Sequence, residues 1–137
     1  MSVPLPPPPG ATPVQGWGVA TLDPARRYAE VIRIPAGETL ALGSLTFSDA
    51  TSPEPNKAAV LQLETAVAGN AGAPGPVLTQ FFQLEVASGG SFHMPFPVPL
   101  ILEGRADQET VFRFLIVGET PGLAFAEIGC LAVGFTF

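Results

Sequence analysis

A proline-interrupted segment places the strongest constraint on the fold. In residues 91–103, SFHMPFPVPLILE, large apolar side chains occupy every even position from Phe92 to Leu102. This period of two predicts a β-strand with one apolar face. Prolines stand between them at positions 95, 97 and 99, and a proline has no N–H to donate to a β-ladder. We therefore predict an edge strand, because only there are such prolines tolerated, and because they also block edge-to-edge aggregation.

The same alternation recurs along the chain from Tyr28 onward. In TQFFQLEVA, for example, Phe82, Leu84 and Val86 form one apolar row. The alternation in ETLALGSLTF slips by one residue at Gly43–Ser44, which predicts a β-bulge. Sixteen prolines and 15 glycines accompany 47% hydrophobic residues, a composition that favours a turn-rich β fold over disorder. Seven or eight short strands predict an all-β fold, a two-sheet antiparallel β-sandwich of jelly-roll type.

The N-terminal stretch differs from this pattern. Pro4 and Pro6 to Pro9 favour an extended polyproline II conformation, and no charged residue precedes Asp23. We predict an extended Pro-rich arm over residues 1–22 and a β-sandwich domain over residues 23–137. The arm is expected to bind a partner through its apolar and proline side chains, namely Val3, Leu5, Pro7, Pro8 and Trp17.

The charge pattern excludes several classes of partner. The net charge is −6 and the six basic residues are dispersed, whereas phosphate binding requires a basic cluster. The charge-free stretch between Glu64 and Glu85 contains AGNAGAPGP, which would break a membrane-spanning helix. The N-terminus has neither the basic start nor the continuous apolar core of a secretory signal. We expect no nucleic-acid or membrane partner, and synthesis in the cytoplasm.

Candidate catalytic residues do not form a convincing set. His93 is the only histidine, and Ser91 lies on the same face of the same predicted strand. Their side chains would stand parallel, and no carboxylate is placed to orient the imidazole. Glu64 and Glu85 could face each other across paired strands, as glycosidase carboxylates do, but the sequence sets no distance between them. We predict a non-enzymatic protein with no catalytic residues.

Metal binding is also not expected. Glu103, Asp107 and Glu109 bracket one turn and could offer oxygen ligands to Ca²⁺. Arg105 lies among them, which favours a solvated hairpin turn. Cys130 is the only cysteine and is interpreted as a small buried hydrophobic residue. We predict no metal and no cofactor.

Several strands carry apolar side chains on both faces. Val111, Leu115 and Val117 alternate with phenylalanine and isoleucine in TVFRFLIV, and Ile101 lies between two leucines. Strands of this kind are buried on both sides, and monomers rarely expose large apolar patches. We predict an oligomer interface that contains Leu115, Val117 and Ile101.

Three segments carry a family resemblance: RIPAGETLAL, SFHMPFPVPLIL and CLAVGFTF. They resemble the small jelly-roll virion proteins of tailed bacteriophages, which decorate capsids or form head fibres, and also the trimeric jelly rolls of the tumour-necrosis-factor and C1q class. The resemblance implies a structural virion protein, a homotrimer whose arm binds the major capsid protein or another virion protein. The residues leave open an alternative, a carbohydrate- or peptide-binding module that uses the loops around Asn70 or Arg105.

Overall fold

The computed structural model describes residues 9–69, 75–124 and 126–137. It contains eight β-strands and one 3-10 helix, Pro24–Arg26. The strands are β1 (Thr12–Thr21), β2 (Tyr28–Ile34), β3 (Thr39–Asp49), β4 (Ala58–Val67), β5 (Val77–Ala87), β6 (Ser91–Glu103), β7 (Thr110–Glu119) and β8 (Glu127–Thr136). No helix in the described ranges is long and apolar enough to cross a membrane.

The strands form two antiparallel four-stranded sheets. Sheet A has the order β1-β8-β3-β6 and sheet B the order β2-β7-β4-β5. Eight strands whose order alternates between two sheets in this way form a jelly roll. The predicted all-β sandwich is therefore confirmed.

Strand β6 lies at the edge of sheet A, as predicted. Its ladder with β3 pairs Leu42 with Leu100 and then Ser44 with Pro95. Residues 96–99 thus have no partner opposite them, and two of the three prolines fall in this gap. The predicted bulge at Gly43–Ser44 lies on the other side of the same irregularity, because the register of β3 shifts between Leu42 and Ser44.

The inner faces of the two sheets enclose the core. The rings of Phe47 in β3 and Phe114 in β7 meet edge to face, with centroids 5.7 Å apart, a favourable geometry for an aromatic pair. The predicted apolar row of β5 contributes through the buried Val86 and the partly buried Phe82 and Leu84.

Strand β1 differs from the expected organisation, because it lies within the stretch predicted to be an extended arm. It pairs with β8 along its whole length, from Thr12 opposite Thr136 to Thr21 opposite Glu127. β1 can join the sandwich because two of its inward positions are occupied by glycines, Gly16 and Gly18. A Cβ on Gly16 would overlap the carbonyl oxygen of Val31 in β2, so the absence of a side chain lets the edges of the two sheets close together.

Candidate interaction surface

The outer side of sheet A carries a continuous band of apolar side chains. Strands β1 and β8 alternate small or buried residues on the inside with large residues on the outside. Trp17 pairs with Leu131 across this face, and Ala41 in β3 has Phe135 on one side and Ile101 on the other. We call this surface the apolar face; its large members are Trp17, Val19, Ile101, Leu131, Val133, Phe135 and Phe137.

Aromatic residues dominate the exposed part of the apolar face. Trp17 is 56% exposed and Phe137 is 54% exposed. The rings of Phe135 and Phe137 are neighbours, with centroids 6.1 Å apart. Such surface remains in water unless another molecule covers it, and apolar area left in water is unfavourable by about 25 cal/mol per Å².

Trp17 lies flat on the sheet. Its pairing places it diagonally across from Gly129, and a Cβ added to that glycine would overlap ring atoms Cη2 and Cζ2 of the indole. The ring therefore covers the bare backbone of Gly129 instead of standing away from the sheet. The result is a low, even surface and not a projecting side chain.

The outer side of sheet B has the opposite chemical character. Arg33 in β2 binds Glu109 with its Nη1 (2.6 Å) and Glu30 with its Nη2 (3.1 Å). These two carboxylates raise the pKa of the Arg33 guanidinium, and the hydrogen bond to Glu109 contributes most. Arg33 and its two carboxylate partners thus stand in water next to groups of opposite sign.

A buried ion pair lies at the centre of sheet B. Arg113 in β7 is directly opposite Glu64 in β4, and its Nε and Nη2 donate to Glu64 Oε2 at 3.3 and 3.1 Å. Gln62 Nε2 donates to the other carboxylate oxygen at 3.3 Å, and the guanidinium carbon lies 5.8 Å from the centre of the Tyr28 ring. Both charged side chains are almost fully shielded from water.

The structure separates the two carboxylates that were considered for glycosidase chemistry. Glu85 is opposite Val60, whereas Glu64 is opposite Gln80. The expectation that the two could face each other is therefore wrong. Glu64 is held by Arg113, and Glu85 is exposed.

The remaining polar candidates are separated as well. His93 is exposed and its Nδ1 lies 2.8 Å from Thr46 Oγ1, while Ser91 is opposite Ser48. Asp107 binds Arg105 Nε at 3.3 Å, and Glu109 is held by Arg33. In the part of the chain that the structure describes, no three His, Cys, Asp or Glu residues are arranged to hold a metal ion.

Cys130 faces the core from β8 and is fully buried. Burial raises the pKa of its thiol to about 12, because a thiolate would lose its hydration there. At neutral pH the thiol is therefore uncharged, and the residue packs in the core as a small apolar side chain.

The predicted interface residues lie on opposite sides of the sandwich. Ile101 belongs to the apolar face, together with Trp17 from the predicted arm. Leu115 and Val117 lie on the outer side of sheet B; Leu115 is half-buried opposite Gln62 and Tyr28. Part of the apolar surplus of β7 is thus covered inside the monomer, because Val111 is fully buried. Val3, Leu5, Pro7 and Pro8 lie outside the described residues, as does Asn70.

Two groups of residues were not singled out from the sequence. Val133, Phe135 and Phe137 occupy alternate positions in the closing run IGCLAVGFTF. Their parity is opposite to that of Cys130, which was expected to be buried, and this signal could have placed them outside. The Glu64–Arg113 pair had no such local signal, since it depends on the register between β4 and β7.

Comparison with solved structures finds a similarity to a chain described as "Cyanophage Pam1 capsid asymmetric unit". The TM-score is 0.44 and the sequence identity 12%, and the match covers 98% of this chain and 91% of that chain. No protein-family model matches the chain, and a comparison with curated proteins finds no significant match. At this score and identity, the similarity is limited to the general course of the chain.

Proposed function

We propose that this protein is a non-enzymatic structural component of a virion, of the capsid-decoration or head-fibre type, that assembles with copies of itself and with another virion protein. The observation that carries the proposal is the apolar face of sheet A. The largest contiguous apolar patch on a monomeric protein is typically about 300–600 Å² and is often functional, and still larger patches mark interaction sites. Association is the function that best accounts for such a face.

The sequence resemblance supports the virion part of the proposal. The segments that resemble phage jelly-roll proteins include all or most of β6 and β8 and the first part of β3. These three strands are neighbours in sheet A. The resemblance and the apolar face therefore concern the same sheet.

The arm is the proposed contact with the larger particle. Val3, Leu5, Pro7 and Pro8 precede β1, whose first residue, Thr12, is paired with the last residue of β8. A proline-rich segment loses little backbone freedom on binding, where ordering an ordinary residue costs about 1–2 kcal/mol. In this proposal the arm binds the major capsid protein or another virion protein, while the sandwich associates as a homotrimer.

Deletion of residues 2–8 tests the arm without cutting into β1. We expect the deletion variant to keep its circular-dichroism spectrum and its mass in light scattering, but to be lost from purified virions. Quantitative mass spectrometry of virions from the encoding phage gives the occupancy. Normal occupancy of the deletion variant would show that the arm is not the anchor.

The full-length protein provides the test of the function itself. A structural component should be present in purified virions at a fixed ratio to the major capsid protein. If the full-length protein is absent from virions and a glycan or peptide panel raises its melting temperature, the binding-module alternative replaces the proposal.

A further inference from the structure

We infer that the apolar face of sheet A is the surface through which copies of this chain bind one another, so that its occupant is a second copy. This inference rests on the self-assembly part of the proposed function and locates it. The sequence predicts Leu115 and Val117 in the interface together with Ile101. The inference keeps Ile101, leaves out the outer side of sheet B that holds Leu115 and Val117, and adds Trp17 and Val133.

The exposed apolar area agrees with the size of a protein interface. An aromatic side chain offers roughly 150–250 Å², so the exposed halves of Trp17 and Phe137 leave on the order of 200 Å² in water. Val19, Ile101 and Val133, each about half exposed, add on the order of 150 Å². One partner of a standard interface contributes about 800 Å², of which somewhat more than half is apolar. The face therefore supplies most of the apolar area that one copy needs.

Charge favours a second copy over a partner of opposite charge. The chain carries a net charge of −6, so two copies repel each other wherever their acidic groups meet. None of the large members of the apolar face is charged, and the acids Glu103 and Glu127 lie at the ends of β6 and β8. A basic partner would find no acidic group there to bind, whereas an identical neutral face meets no like charge.

The shape of the face is also suited to its own copy. Two sheets pack face to face at about 10 Å when their side chains interdigitate without large projections. Trp17 lies along the sheet over Gly129. In β3, on the other side of β8, the residues opposite Val133 and Leu131 are the small Ser44 and Thr46. A second sheet A can therefore approach closely over the band formed by β1 and β8.

The chain offers a matched pair of substitutions to test this. Val133 on the apolar face and Val117 on the outer side of sheet B are the same residue type, exposed by 41% and 45%. We expect Val133→Asp to shift the protein toward monomer in light scattering at micromolar concentration, with association at least tenfold weaker. Val117→Asp should leave the mass distribution of the wild type unchanged.

Fluorescence supplies a readout that needs no substitution in the interface. Trp17 is the only tryptophan, so its emission reports on the apolar face alone. We expect the emission of the wild type to shift to shorter wavelength, and acrylamide quenching to fall, as concentration rises through the association range. If Val133→Asp fails to fold, this measurement still shows whether the apolar face is covered on association.

Each other outcome has a distinct meaning. An oligomer that Val117→Asp dissociates and Val133→Asp does not, with Trp17 still accessible to acrylamide, overturns the inference while self-assembly stands. A wild type that is monomeric at every concentration tested refutes self-assembly, and with it this inference and the self-assembly part of the proposed function, while the virion role is still decided by the occupancy in purified virions.

Discussion

Removal of one member of the Glu64–Arg113 pair should cost this protein a large part of its stability. The Glu64 carboxylate accepts two hydrogen bonds from Arg113 and one from Gln62, and both charged side chains are buried. Glu64→Leu would leave a guanidinium shielded from water without its counter-ion. The substitution fills the space left by the carboxylate, so the lost charge partner dominates the effect.

The expected magnitude follows from the burial of the pair. Breaking a buried ion pair from one side costs about 3–5 kcal/mol, whereas replacing both members with apolar residues of similar volume is often neutral or stabilising by about 1–4 kcal/mol. Arg113 Nη1 finds no hydrogen-bond partner among the described residues. We therefore expect Glu64→Leu and Arg113→Met each to lower the free energy of unfolding by about 3–5 kcal/mol. The double variant should be at least as stable as the wild type.

Urea unfolding at pH 7, followed by circular dichroism, measures all four corners of this cycle. In a chain of this size, a loss of 3–5 kcal/mol corresponds to a fall in melting temperature of roughly 10–20 °C. Costs below about 1 kcal/mol for both single variants would match an exposed pair and would refute the burial argument. Strictly additive costs in the double variant would show that the two side chains do not interact.

Three further predictions concern other parts of the sandwich. Gly16→Ala should destabilise the protein by about 1–3 kcal/mol, because its Cβ would overlap the backbone of Val31; Gly118→Ala, whose Cβ would lie 3.9 Å from its nearest neighbour, should change stability by less than about 0.5 kcal/mol. An equal effect of the two in urea unfolding would show that β1 is not closed against β2. Burial raises the Cys130 pKa to about 12, above its value in the unfolded chain, so the thiol contribution to stability is complete below about pH 8.5 and falls as pH rises further. The native protein should accordingly resist alkylation by iodoacetamide at pH 8 and react in urea, and rapid native labelling would contradict the burial. His93→Ala removes one exposed hydrogen bond. It should change the free energy of unfolding by less than about 0.5 kcal/mol and leave the oligomer mass unchanged.

Local side-chain patterns were sufficient to predict the strands from Tyr28 onward and much of their burial. The alternation of Phe82, Leu84 and Val86 marks one face of β5 wherever that strand is placed, because successive side chains point to opposite sides. The prolines of β6 exclude it from the interior of a sheet because they lack an N–H group, and this holds before any neighbour is known. The bulge at Gly43–Ser44 was visible for the same kind of reason, as a slip in the period of two.

What covers each strand could be decided only by the tertiary structure. In the sequence alone, Gly16 and Gly18 indicate irregular chain. In the structure the backbones of Val31 and Glu30 approach them so closely that β1 could not join the sandwich with side chains at these positions. Glu64 and Arg113 are 49 residues apart, and it is the register between β4 and β7 that makes them one buried pair. Val117 and Val133 have the same side chain and nearly the same exposure, yet one borders a face of ion pairs and the other a face of aromatic rings. Alternation along a strand tells two sides apart, but the neighbours on each side come from distant parts of the chain, so strand order and register determine which side is left apolar and open.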